Sequence, residues 1–258
     1  MKLLEYEAKG ILKDAGIPVP KGFLVRPGDD PRAAAAVGEE VVVKAQVDVG
    51  GRGKAGGIIM ADARTVGEAA KRLLGSQIKG VPVHSVLIEE KIAIEHEYYV
   101  SISIDRSSAS PLILFTASGG VDIEEVAQTS PDAIRRAVVS PLLRDVPGYT
   151  IRYLLNNAPK ELGPVINRLY RVFMEKDALL AEINPLVTTP DGVRAADAKL
   201  IIDDNALGRQ GITENRDLTE RERRAEEFGF SFVELDGSIG VIGNGAGLTM
   251  ATVDLLTT

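Results

Sequence analysis

The chain has no cysteine and no tryptophan, and aromatic residues make up only 5% of its 258 positions. Without cysteine there are no disulfides, no thiolate metal ligands and no thiol nucleophile, and nothing asks for an oxidising compartment. A long uncharged apolar run is also missing: no stretch approaches the ~20 residues that cross a bilayer. The amino terminus, MKLLEYEAKGIL, sets Glu5, Glu7 and Lys9 where a signal peptide needs its apolar centre. It reads instead as an amphipathic helix with Leu3, Leu4, Ala8, Ile11 and Leu12 inward. Positive charge is in deficit too. The net charge is −7, and no basic stripe stands against that acidic background, which excludes the electrostatic footprint of a nucleic-acid binder. The expectation is a cytoplasmic chain with neither membrane nor nucleic acid as partner, whose 45% hydrophobic content can bury one or two cores.

What the chain does have is glycine in one place. In VVVKAQVDVGGRGKAGG (41–57) a hydrophobic strand delivers Lys44 and then breaks into a loop holding Gly50, Gly51, Gly53, Gly56 and Gly57, with Arg52 and Lys54 among them. Such a loop exposes backbone N–H groups beside fixed cations, a combination suited to polyphosphate. It is not a Walker loop, because Gly57 leads into Ile58, Ile59 and Met60, a second strand rather than a helix. The loop therefore closes a hairpin. It either folds over phosphates from above, with Lys44 on the strand beneath as a point charge, or is a basic hairpin that binds nothing.

A second constellation lies in 179–202. Two strand-like runs, 179–187 and 193–202, are joined by Thr189-Pro190-Asp191-Gly192, a turn sequence by virtue of its proline and glycine. A hairpin centred on Pro190 and Asp191 sets Asn184 opposite Asp197 and Glu182 opposite Lys199. The period of two then puts all four on one face. An Asp and an Asn directly opposed across strands can share one small hard cation such as Mg²⁺, which fills its other positions with water and phosphate. The alternative is a polar face with a surface salt bridge. Between the two constellations, Glu89 and Glu97 are candidate acceptors for ribose hydroxyls.

The remaining pattern alternates helix and strand without long linkers or repeats, an α+β chain. The spacing predicts helices over 31–37, over 65–74 with a Thr65/Glu68 capping box, over 131–139 and over 159–176, and strands over 86–88, 98–104 and 112–115. The segment 219–227 reads as a solvated linker helix. His84 and His96 are the only histidines. His84 reads as structural, and His96 lies beside the proposed ribose contact, flanked by acids.

The order of these segments resembles the β subunits of ADP-forming succinyl-CoA synthetases, in the ATP-grasp superfamily. The likeness is carried by LLEYEAKGIL with AGIPVP, KAQVDVGGRGKAGG, GGVDIEEVA (119–127), AEINPLV (181–187), ADAKL (196–200), DDNALGRQ (203–210) and LDGSIGVIGNGAGLTM (235–250). It implies an α+β ATP-grasp fold, two subdomains gripping a nucleotide, over 1–232 with a lid subdomain about 21–97. Residues 233–258 would begin a flavodoxin-like CoA-ligase domain, with 238–247 as its first strand and turn. Relatives run on well beyond that point, so a shortened chain is implied.

By position, the resemblance puts ATP (or GTP) contacts on Lys44, Gly51, Arg52, Gly53, Glu89, Ile92 and Glu97, Mg²⁺ on Asn184 and Asp197, and acid substrate on Asn244. Glu182 matches a position that meets a phosphohistidine carried by the α subunit, so an αβ or α2β2 assembly is implied. Lys44 and Glu182 are the expected catalytic residues. The implied reaction joins succinate and CoA at the expense of ATP, reversibly, as in the tricarboxylic acid cycle. Sister ligases for malate or citrate share these motifs, and a non-catalytic nucleotide-binding fragment is the reading from another class.

Overall fold

The computed structural model describes residues 1–31, 37–212, 220–235 and 237–257, and the chain divides into two compact units, Met1–Thr213 and Glu214–Thr258. The first unit opens with α1 (Glu5–Asp14), then β1 (Gly22–Val25), β2 (Glu40–Ala45), β3 (Ile58–Asp62), α2 (Val66–Leu73), a small β4 (Gln77–Ile78) and β5 (Val81–Pro82) hairpin, and β6 (Val86–Glu90). Four of these strands form an antiparallel sheet in the order β1-β6-β2-β3. Alternation decides what each face carries. Val41, Val43 and Ala45 of β2, and Val86 and Ile88 of β6, bury against Val66, Ala70 and Leu73 of α2. Val42, Lys44 and Glu89 fall on the opposite face.

The larger sheet takes β7 (His96–Asp105), β8 (Ser110–Thr116), β9 (Arg135–Val138), β10 (Ala178–Thr189), β11 (Gly192–Ala195) and β12 (Lys199–Ile202). Its order is β11-β10-β7-β8-β9, with β12 also paired to β10. Helices α3 (Ile123–Thr129), α4 (Gly148–Leu155) and α5 (Leu162–Glu175) fall between β8 and β10 in the chain. Along α5 the residues Leu162, Ile166, Leu169, Tyr170 and Phe173 recur at helical spacing and bury among Ile102, Ile113 and Ile183 of the sheet. Each such side chain removed from water contributes about 1.5–3 kcal/mol. Leu3, Ala8 and Leu12 of α1 join the same core, as the amphipathic reading expected. A short α6 (Leu207–Gln210) ends the unit, and the second unit holds α7 (Glu220–Glu227) and α8 (Ala246–Thr257). No helix among the described residues is long and apolar enough to cross a membrane.

Three local expectations need correction. Residues 131–139 are not a helix: Pro131–Ala133 form one 3-10 turn, and Arg135–Val138 pair with Leu112–Phe115 as an edge strand. The open edge of β8 offers a ladder of backbone partners that outweighs weak local helix preference. Helix α2 forms, but without the capping box: the Thr65 hydroxyl accepts from Asp62 N at 3.0 Å and donates to its carboxylate at 2.8 Å. Residues 239–243 carry no sheet pairing, since one strand has no partner there to satisfy its backbone. The alanine run of the helix expected over 31–37 lies outside the described residues.

Candidate functional site

Lys44 leaves β2 on the face away from α2 and is 9% exposed. Its neighbour on that face is Glu89, which lies diagonally across the β2–β6 ladder, since Lys44 pairs with Leu87. Above them α1 presents Glu5 and Lys9, one helical turn apart and each 5% exposed. The Lys44 Nζ lies 2.9 Å from Glu5 Oε1, 2.7 Å from Glu89 Oε2 and 2.8 Å from the Ala196 carbonyl. The Lys9 Nζ repeats the pattern at 2.7 Å from Glu5, 2.6 Å from Glu89 and 2.8 Å from the same carbonyl.

The glycine-rich segment closes the β2–β3 hairpin as expected, with Lys44 paired to Ile58. Gly51 and Gly56 take φ of +68° and +80°, turns that side chains disfavour. The Lys79 ammonium, at the tip of the β4–β5 hairpin, donates to Gly50 O at 2.7 Å and steadies the loop. Arg52 does not reach outward. It is 8% exposed, with Nη1 donating to Ala45 O at 3.0 Å and Nη2 ion-paired to Glu5 and, at 3.1 Å, to Asp197. Lys54 is exposed, so the two cations of the loop part company.

The second hairpin adopts the predicted register: Thr189 pairs with Gly192, Leu186 with Ala195, and Glu182 with Lys199. Asn184 and Asp197 occupy corresponding positions between those pairs, but the ladder is interrupted there. Ala196 N donates to Pro185 O at 3.0 Å, and the Asn184–Pro185 bond is cis. Neither side chain is idle. Asn184 Oδ1 accepts from Gly120 N at 2.8 Å and its Nδ2 donates to Val121 O at 3.0 Å, which fastens the 119–122 turn to β10. Asp197 takes Arg52 and its neighbouring Ala198 N. On the same face Tyr99 donates its hydroxyl to Glu182 at 3.1 Å.

Charge and burial set the protonation pattern. Burial alone would raise the Glu5 carboxyl, but Lys44, Lys9 and Arg52 outweigh it and hold Glu5 well below the ordinary carboxylate range. Burial likewise opposes charge on Lys44 and Arg52, and the surrounding carboxylates more than offset it, raising both. Asp197 moves the other way: burial and then Glu5 push it up, only partly countered by Arg52, Lys44 and Lys9. Burial also raises Glu182 against the pull of Lys199 and the Tyr99 hydrogen bond. Burial and Glu182 lift the Tyr99 phenol, which stays a proton donor.

Ionised Glu5 stabilises the fold fully above its unfolded value, ~4.3. That contribution is lost as pH falls through its depressed folded value. Urea midpoints taken from about pH 6 to about pH 2 should fall steeply for the natural chain and less steeply for Glu5→Gln. Equal slopes would show that Glu5 does not drive the acid lability.

Of the sequence candidates, Lys44, Arg52, Glu89 and Asp197 meet in this one cluster. Glu89 is 2% exposed and spends both oxygens on lysines, so its carboxylate is not presented to a ribose. Glu97 stands half-buried at the start of β7, so close to the 119–122 turn that any side chain at Gly120 would run into its carboxylate. Ile92 lies in the irregular link 91–95, and Gly51 and Gly53 are exposed on the loop. Asn244 lies exposed in the turn before α8, in the second unit. Both histidines are exposed. Glu5 and Lys9 were missed. Their signal was an i,i+4 acid–base pair on a helix that also carried a clear apolar face, which reads as a solvated pair.

An amide oxygen, from Asn184, and a carboxylate, from Asp197, are donor types that Mg²⁺ takes. Burial and Glu5 raise the proton affinity of the half-buried Asp197 carboxylate, Arg52, Lys44 and Lys9 counter this only in part, and Arg52 is its one ion-pair partner among the described residues. No group of three or more His, Asp or Glu placed to hold a metal ion is found among the described residues, so a divalent ion here would take most of its ligands from water and phosphate.

The ATP-grasp domain model matches residues 2–188, and the chain belongs to that class. The β subunit of the ADP-forming succinate–CoA ligase of Methanocaldococcus jannaschii is 48% identical over 264 residues, 99% of this chain and 71% of that protein. The β subunit of the GDP-forming succinate–CoA ligase of Thermus thermophilus is 44% identical over 268 residues, with 99% and 71% covered. The chain belongs to the succinate–CoA ligase β-subunit family. Among solved structures, ATP citrate lyase from Methanothrix soehngenii aligns with a TM-score of 0.64 at 22% identity, covering 88% of this chain and 59% of that one. The dinucleotide-forming acetyl-coenzyme A synthetase 1 of Ca. Korarchaeum cryptofilum gives 0.63 at 18% identity, covering 78% and 93%. At such identities the likeness is one of fold.

Proposed function

We propose that this chain is the nucleotide-binding subunit of a succinate–CoA ligase, which forms succinyl-CoA reversibly from succinate and CoA with ATP or GTP through a phosphohistidine on a separate α subunit. The observation that carries the reading is the 3.1 Å ion pair between Arg52 of the glycine loop and Asp197 of the hairpin, which brings the two phosphate-facing elements to one point beside Lys44.

In this reading Lys44, Arg52 and the N–H groups of Gly51 and Gly53 take the phosphates, while Glu97 and the backbone near Ile92 receive the nucleoside. Asn184 and Asp197 hold Mg²⁺, which when bound would offset the charge of the transferring phosphoryl group. The chain would supply position and charge rather than a nucleophile. Glu182, held by the Tyr99 hydroxyl, would orient the incoming histidine of the partner, and Asn244 would touch the acid substrate. We place the ATP-grasp domain at 1–232 and the beginning of a CoA-ligase domain at 233–258, with α7 as the connection.

γ-Labelled ATP tests this directly. Incubated with Mg²⁺, the chain alone should take up no label, and an added α subunit should become labelled on histidine. Label on this chain, or none on the partner under conditions where nucleotide binds, would overturn the assignment.

A further inference from the structure

The three donors of the Lys44 ammonium are all committed, to Glu5, Glu89 and the Ala196 carbonyl. Arg52 is committed to Glu5, Asp197 and the Ala45 carbonyl. Any phosphate arriving at these two cations has to compete with carboxylates already in place. Glu5 and Glu89 differ in what they hold. Glu89 joins the two lysines from within β6, next to the strand that carries Lys44. Glu5 alone bridges Lys44 on β2 and Arg52 on the glycine loop. One carboxylate meeting an ammonium and a guanidinium from two separate elements reproduces the contacts a phosphate oxygen pair would make there.

We infer that Glu5 is an internal stand-in for nucleotide phosphate: its carboxylate fills the anion seat of Lys44 and Arg52, and nucleotide binds by displacing it. Lys9 makes the exchange feasible. It sits one turn along the same helix, 2.7 Å from Glu5 and 2.6 Å from Glu89, so both carboxylates keep a counter-ion when Lys44 and Arg52 turn to phosphate. A buried carboxylate stripped of every cation would oppose the exchange strongly. Glu5 is on this account a positioning residue. It holds the two cations converged until a ligand takes them, and it limits affinity by competing for them.

This inference rests on the nucleotide site proposed above, and inorganic tripolyphosphate is the probe that isolates its phosphate part. By calorimetry, Glu5→Gln should bind tripolyphosphate and Mg²⁺–ATP about tenfold more tightly than the natural chain, because a like charge has left the seat. Adenosine, which brings no phosphate, should show no gain. A purely structural Glu5 would give weaker binding or none. Thermal melts check folding. Should Glu5→Gln fail to fold, Glu5→Asp keeps the charge but shortens its reach to Lys44 and Arg52, and the same direction of change is expected. Unchanged or weaker binding in a folded variant, with the natural chain binding Mg²⁺–ATP normally, overturns the inference and leaves the site standing. No binding of either probe by the natural chain overturns both.

Discussion

Replacing Lys44 by methionine should weaken Mg²⁺–ATP binding by about a hundredfold or more, the cost typical of removing one member of a buried charge pair. Two effects add. The phosphates lose an ammonium held in low-dielectric surroundings, and Glu5 and Glu89 lose one of their cations, keeping only Lys9 and Arg52 against their charge, so the incoming anion meets a more negative seat. Lys44→Arg should not restore binding, because a planar fork cannot place three donors on Glu5, Glu89 and the Ala196 carbonyl at once. Titration calorimetry on folded variants is the measurement. An affinity within about threefold of the natural chain would remove Lys44 from the phosphate site, since that change lies below the cost of any buried charge.

The second large effect is on stability. Glu89→Ala should destabilise the first unit by about 3–5 kcal/mol, because Lys9 and Lys44 lose a shared partner inside the fold. The melting temperature should drop by about 10 °C for a unit of this size. Glu90→Ala is the control one residue along. Glu90 pairs with Arg194 at 3.1 Å where both side chains keep about a fifth of their exposure, and such rim pairs contribute at most about 1 kcal/mol. Equal losses for the two variants would mean that the buried cluster contributes no more than an ordinary surface pair.

The residues that repeat simply were the readable ones. The apolar runs that end at Lys44 and at Ile88 gave both strands, and the Pro190-Asp191 turn gave the Glu182–Lys199 register to the residue. Reading failed where tertiary partners override local pattern. Residues 135–138 look helical in isolation and become a strand because β8 offers an unpaired edge. Thr65 was placed correctly at a helix start, yet its hydroxyl prefers the nearer Asp62. At Asn184 and Asp197 the ladder breaks, and Asn184 gives its amide to the 119–122 turn, a partner from far along the chain that the sequence reading did not supply.

The charge cluster shows the same limit from another side. Lys44, Arg52, Glu89 and Asp197 were each singled out, but for ligands, not for one another. That they neutralise each other, with Glu5 and Lys9 completing three cations against three carboxylates, depends on α1 lying over the sheet. No spacing within α1 announces which acids will be covered.

An evenly balanced interior is also a sorting device. Nucleotide without metal would carry its whole negative charge into a space where every cation already has an owner, whereas the magnesium chelate arrives with much of that charge cancelled and with an ion that Asp197 can accept. If nucleotide binds there, as proposed, the cleft would favour the chelated form before base or sugar is recognised.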